Sequence, residues 1–198
     1  MVEGMISVTG SAIQWLRDGL GIIATSAETE ALAASVTDTN GVYFVINLAG
    51  QYCPRYDPYS RGTIFGITRG TTKAHIVRAT LEGIAFGLAD IMEAIETGMN
   101  VTMKEIKIDG GASQNNVLAQ MFADYIDCDV SRPDSAEATA LGCAEMAALG
   151  AGIYTLDNLP DPLIYDRVFH PQMTPEVRAA NLKRYSNALE RQTGWLKD

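Results

Sequence analysis

Apolar side chains recur along this chain at two spacings, three or four residues apart and two apart, and the switch between them sets out its elements. From Ser7, the apolar positions Ile13, Leu16 and Leu20 predict a first helix, loosened at its end by Gly19 and Gly21. Leu32 and Val36 mark a second short helix, and the Asn40-Gly41 turn then leads into a buried strand, Val42 to Ile46. Between Asn47 and Gly62 glycine, proline and tyrosine break any long period, which predicts an ordered loop, followed by a short apolar run, Thr63–Ile67. Thr72 then caps a long helix through Glu96, with Ile76, Ala79, Leu81, Ile84, Leu88, Ile91 and Ile95 facing inward as the central packing element.

The second half repeats the alternation. EIKID is a strand ending at Asp109, a double glycine follows, and Leu118, Phe122 and Tyr125 place a helix behind it. A short strand, Asp129–Arg132, precedes the small-residue helix AEATALGCAEMAALGAG, whose alanines and glycines permit close approach to a neighbour. Pro160 and Pro162 break the chain, and Thr174-Pro175-Glu176 opens a final surface helix running toward Trp195. Strand and helix thus alternate without repeats or internal linkers, which predicts one α/β layer structure over 1–198.

Composition narrows the setting. A hydrophobic fraction of 47% with 20% charged residues fits a folded globular chain, and 198 residues suffice for one core. A net charge of −9 argues against nucleic acid or an anionic membrane surface as partner. It leaves room for a small phosphorylated ligand, which backbone N–H groups at helix N-termini hold without net positive charge. The three cysteines lie far apart, in no zinc or disulfide spacing, and no apolar run reaches the roughly 18–20 residues of a membrane span. The expectation is a cytoplasmic protein without a metal site.

Chemistry concentrates at two glycine-led helix starts. Asp109-Gly110-Gly111-Ala112-Ser113-Gln114-Asn115 sits where a strand hands over to a helix, the usual ligand position of open α/β sheets. Gly110 and Gly111 permit close backbone approach, and Asn115 offers both a donor and an acceptor to a purine edge or a ribose hydroxyl. Gly10-Ser11-Ala12-Ile13-Gln14 is the second, with Gln14 one turn in. On spacing alone a plain helix start is the favoured reading of each. In Asp57-Pro58-Tyr59-Ser60-Arg61-Gly62, Asp57 and Arg61 are expected to form an internal ion pair. His75 and His170 assemble no catalytic triad, and Glu93, Glu96, Asp124 and Asp127 read as solvated helix charge.

The same residues carry a family resemblance. GTIFGITRGTTKAHIVRATLE, Gly62 to Glu82, resembles the C-terminal signature of the carbohydrate kinases that include glycerol, xylulose and gluconate kinases. GSAIQWLRDGLG, TNGVYFV, DPYSRGTIFGITRG, DGGASQN and ATALGCAEMAALGAG follow in the order found in glycerol kinases in particular. In the loop Gly50–Pro58 the sequence GQYCPRYDP departs from the family's GLGAPYWDP.

The resemblance implies an actin-like ATPase (ribonuclease H-like) domain, a five-stranded mixed sheet flanked by helices. It further implies an ATP or ADP site in which Gly10, Gln14, Gly111 and Asn115 contact the nucleotide and Asp109 and Gly110 shape it, with Mg2+ in the complete enzyme. By the same resemblance the general base, the glycerol-binding residues and the phosphate-receiving loop precede this segment in an N-terminal domain, so no catalytic residue is assigned here. Glycerol would be met only through that domain, and the isolated chain is expected to be inactive. Half of a xylulose or other polyol kinase is an alternative. So is a stand-alone, non-catalytic nucleotide- or partner-binding module that uses its exposed interdomain face toward a second copy or a partner chain.

Overall fold

The structure, a computed structural model, describes residues 2–134, 137–159 and 165–197. Its centre is α3 (Lys73–Met99), in which every residue from Thr80 to Phe86 is buried, so this helix is enclosed on all sides rather than along one stripe. Thr72 opens it through a capping box. The Thr72 hydroxyl accepts the N–H of His75, and Nδ1 of His75 accepts the N–H of Thr72 at 3.0 Å, so His75 is an end-cap rather than a packing residue. Asn100 ends it in the left-handed conformation.

Around α3 lie two small sheets and, among the described residues, five further α-helices. β1 (Tyr43–Val45) and β2 (Thr63–Phe65) pair antiparallel on one side. They follow the Asn40-Gly41 turn, where both residues take positive φ as a tight reversal requires. Gly83 of α3 meets β1 so closely that a Cβ there would lie 2.4 Å from the Phe44 carbonyl oxygen. On the other side α4 (Asn116–Ile126) and α2 (Glu28–Ala34) pack against α3, and α6 (Pro175–Gln192) lies across β1 and α4. Phe86 ties these layers together, its ring 4.5 Å from both Tyr125 of α4 and Tyr185 of α6 and 6.0 Å from Tyr43 of β1.

The second sheet runs β3 (Glu105–Lys107), β4 (Asp129–Pro133) and β5 (Tyr165–Phe169), with β3 and β4 parallel and β4 and β5 antiparallel. Val130 and Phe169 pack it onto Ala119 and Ala123 of α4. The expected α/β class and mixed strand order are thus present, with the five strands among the described residues divided between two sheets. α5 (Ala138–Gly150) is helical as its sequence predicts, yet it has no buried residue, and its Met146 is 60% exposed. The break expected at Pro160 and Pro162 lies outside the described residues.

Two expectations need correction. The first helix is α-helical only over α1 (Gly10–Gln14) and continues as a π-helical turn, Trp15–Gly19. The wider turn shifts the apolar stripe, so Ile13 and Leu16 are buried while Leu20 faces solvent. In the loop 47–62, Asp57 and Arg61 do not pair. Asp57 caps the turn by accepting the Tyr59 N–H and also takes the Gly194 N–H beyond α6, while Arg61 donates to the carbonyls of Pro58 and Ser60. Backbone groups engage both side chains instead. Elsewhere in the loop, Ser60 donates to the fully buried Gln192 and accepts from Asn47, joining the loop to the end of α6.

Glu82 is the buried acid of α3. It accepts from Arg78 at 3.2 Å, and Arg78 also holds the carbonyls of Ala33 and Val36 at the end of α2. Burial lifts the Glu82 carboxyl to about 7 from an ordinary 4.5, against the pull of the Arg78 guanidinium. Since the folded chain holds this proton more tightly than the unfolded one, the stability it contributes is full below pH 4.5 and is lost as pH rises through 7. That loss is about 3 kcal/mol at one pKa unit per 1.36 kcal/mol. Urea midpoints measured across that window should therefore fall with pH in the native chain, and Glu82→Gln should flatten the slope. Gly83→Ala, which drives a methyl into the Phe44 carbonyl, should lower unfolding free energy by about 1–3 kcal/mol in the same assay.

Candidate functional site

The two glycine-led helix starts face one cavity. Its volume is about 520 Å3, and Gly10, Ile13 and Gln14 of α1 line it together with Gly111, Ala112, Gln114 and Asn115. Gly111–Gln114 forms one 3-10 turn between β3 and α4, entered through Gly110 at φ +83, a value that glycine adopts without the strain a Cβ brings. The Ser113 hydroxyl and N–H both bond the Gly110 carbonyl, which closes the turn. A Cβ added at Gly10 or Gly111 would meet nothing within 4 Å, so at both positions the backbone stands open. Gly110 shapes the turn without lining the cavity, and Asp109 immediately precedes it.

Asn115 begins α4. Its Oδ1 accepts the Leu118 N–H at 3.0 Å, as an N-cap does, and its Nδ2 donates to the Thr29 hydroxyl at 3.0 Å. These two bonds use one N–H and one lone pair of the amide, whose residue also lines the cavity. The neighbouring Asn116 donates its backbone N–H and its Nδ2 to the two carboxylate oxygens of Glu30, at 3.1 and 2.9 Å. Its Oδ1 accepts from Arg132 and Arg167, at 3.1 and 3.0 Å. The two adjacent asparagines therefore hold the turn against α2 on one side and the β4–β5 sheet on the other.

Sequence reasoning missed the third wall. Ser26, Ala27, Thr29 and Glu30 complete the cavity from the start of α2, a segment read only as a short helix. Thr29 is fully buried although polar, its hydroxyl bonded to Ser26 O and to Asn115, and no local pattern announces that environment. The walls together offer glycine backbone, the apolar sides of Ile13, Ala27 and Ala112, and amide and hydroxyl groups from Gln14, Asn115 and Ser26. A flat heteroaromatic base with a polar edge suits that mixture. Among the described residues no three His, Cys, Asp or Glu side chains cluster as a metal site. Glu30, the carboxylate at the cavity, is already engaged by Asn116, so these residues do not fit Mg2+ as a ligand set.

Of the other candidates, His170 bonds Asp129 at 2.8 Å on the far side of α4, and Asp124 accepts the backbone N–H groups of Gln172 and Met173. Asp127 pairs with Arg178. These acids fasten the start of α6 to α4 rather than standing as free surface charge, and none lines the cavity.

Comparison with known proteins shows the family. The C-terminal domain of the FGGY family of carbohydrate kinases matches residues 1–151. A glycerol kinase from Rhodopirellula baltica is 49% identical over 197 residues, covering 98% of this chain and 36% of that protein. A crystal structure of Plasmodium falciparum glycerol kinase with ADP superposes with a TM-score of 0.83 at 33% identity, over 92% of this chain and 37% of that one. A ligand-bound xylulose kinase from Lactobacillus acidophilus, 23% identical with a TM-score of 0.76, shares the fold, covering 98% of this chain and 41% of its own. The chain thus spans well under half the length of the relatives it matches, and it belongs to the FGGY family of carbohydrate kinases, within their C-terminal domain.

Proposed function

We propose that this chain is the nucleotide-binding portion of a glycerol kinase, a single domain over 1–198 that holds the adenosine part of ATP or ADP. One observation carries the reading: the start of α1 and the Gly111–Gln114 turn, far apart in sequence, line a single cavity with Gly10, Gln14, Gly111 and Asn115. Adenine would lie against the backbone of Gly111, where no side chain intervenes, with Ile13 and Ala27 as apolar surface and Gln14 and Asn115 at its polar edges. The ADP named with the Plasmodium falciparum enzyme supports a nucleotide as the ligand.

Glycerol, the general base and Mg2+ belong, on this reading, to the part of the parent enzyme that the chain does not span. Transfer of the γ-phosphoryl group depends on positioning and charge stabilisation, which half a site cannot provide. The apolar surface formed by Met146 of α5 and by Ile153 and Leu156 just beyond it, all exposed, supports contact with that remaining part. A cytoplasmic setting fits a chain whose three cysteines are free thiols, and no helix among the described residues is long and apolar enough to cross a membrane.

Titration calorimetry with ADP tests the reading. The native chain should bind, and Gly111→Val should lose binding about tenfold or more while its melting temperature stays near native, because Gly111 lines the cavity and a Cβ there meets no protein atom within 4 Å. Asn115→Ala should weaken binding and also cost about 1 kcal/mol of stability through the lost helix cap. Unchanged affinity in both variants would place the nucleotide elsewhere. The chain alone, given ATP and glycerol, should form no glycerol 3-phosphate above a protein-free control.

A further inference from the structure

We infer that Arg132 is a positioning residue for the nucleotide-facing turn, an inference that rests on the cavity being a nucleotide site. Arg132 lies one residue before the end of β4, opposite Arg167 of β5, and is 7% exposed. Its Nη1 lies 3.2 Å from the Ser113 carbonyl oxygen, 3.4 Å from that of Gln114 and 3.1 Å from Asn116 Oδ1. Those two carbonyls come from the end of a short 3-10 turn, where helical bonding leaves acceptors without partners. A guanidinium there satisfies them from behind while the opposite side of the turn faces the cavity.

The cation is itself held in place. Its guanidinium lies 5.6 Å from the Phe169 ring centroid, and that of Arg167 lies 4.6 Å from the same centroid. Arg167 donates to the same Asn116 oxygen, and Glu30 takes the Asn116 N–H groups beyond it. Two like charges converge here because they share one acceptor and one ring, with a carboxylate behind the amide. Arg132 touches no cavity space, so it acts on a ligand only through the backbone of Gly111–Gln114. Lysine would bring charge without the planar group that faces Phe169.

The test uses the whole chain in four forms: native, Arg132→Met, Arg132→Lys and Val130→Ala. Val130 is fully buried in the same strand and lines no part of the cavity, so its truncation reports loss of stability alone. Hydrogen exchange of the Ser113 and Asn115 amides, read by NMR without nucleotide, should accelerate at least tenfold in Arg132→Met. In Val130→Ala it should rise no more than the global loss of stability requires. ADP affinity should fall about tenfold in Arg132→Met, be partly restored in Arg132→Lys, and stay within twofold of native in Val130→Ala. Native-like exchange at Ser113 and Asn115 in Arg132→Met would overturn the positioning role, as would equal loss of affinity in Val130→Ala. Failure of the native chain to bind ADP would instead sink the nucleotide reading, with the exchange measurement still deciding whether Arg132 fixes the turn.

Discussion

The enclosure of α3 is the constraint on which the remaining structure depends. From Thr80 to Phe86 the helix has no solvent face, so each element beside it must bury apolar surface at a set distance. Gly83 admits the backbone of β1, and Phe86 offers one ring to Tyr43, Tyr125 and Tyr185. Aromatic contact of this kind favours particular ring angles beyond the area it buries, so it fixes orientation as well as proximity. α4 and α6 are placed by it, and the cavity follows from where α4 begins.

The site is built outward from that placement. α4 starts at Asn115, and its N-cap fixes the turn that exposes Gly111. α2 is tied to α3 by Arg78, which bonds Glu82 within its own helix and two carbonyls at the end of α2. This tie brings Thr29 and Glu30 to the two asparagines. α1 supplies the remaining wall with Gly10 and Gln14. Backbone openness at glycine and side chains locked by packing are thus combined in one site, as a ligand pocket that must be formed before binding requires.

Polar groups at the turn are almost all spent on the protein itself. Asn115 caps and bonds Thr29, and Asn116 stands between one carboxylate and two guanidiniums. Such saturation leaves the ligand shape, open backbone and a few amide groups.

Local pattern determined much of this protein. Helical spacing and the capping signals at Thr72 and Thr174 located α3 and α6, and the Asn40-Gly41 turn located β1. The Gly62–Glu82 signature and the order of the motifs around it resembled the carbohydrate kinases, and that resemblance singled out Gly10, Gln14, Gly111 and Asn115 as nucleotide contacts. Tertiary structure alone decided the π-helical turn that turns Leu20 outward and the backbone partners that draw Asp57 and Arg61 apart. It alone brought Thr29, Glu30 and Arg132 to the turn. Those three act across 86 and 19 residues of sequence, as the Thr29–Asn115 and Ser113–Arg132 bonds measure it, and periodicity is blind at that range. A period reports which face of an element is apolar, whereas the partner of a buried polar group is set by which elements the core presses together.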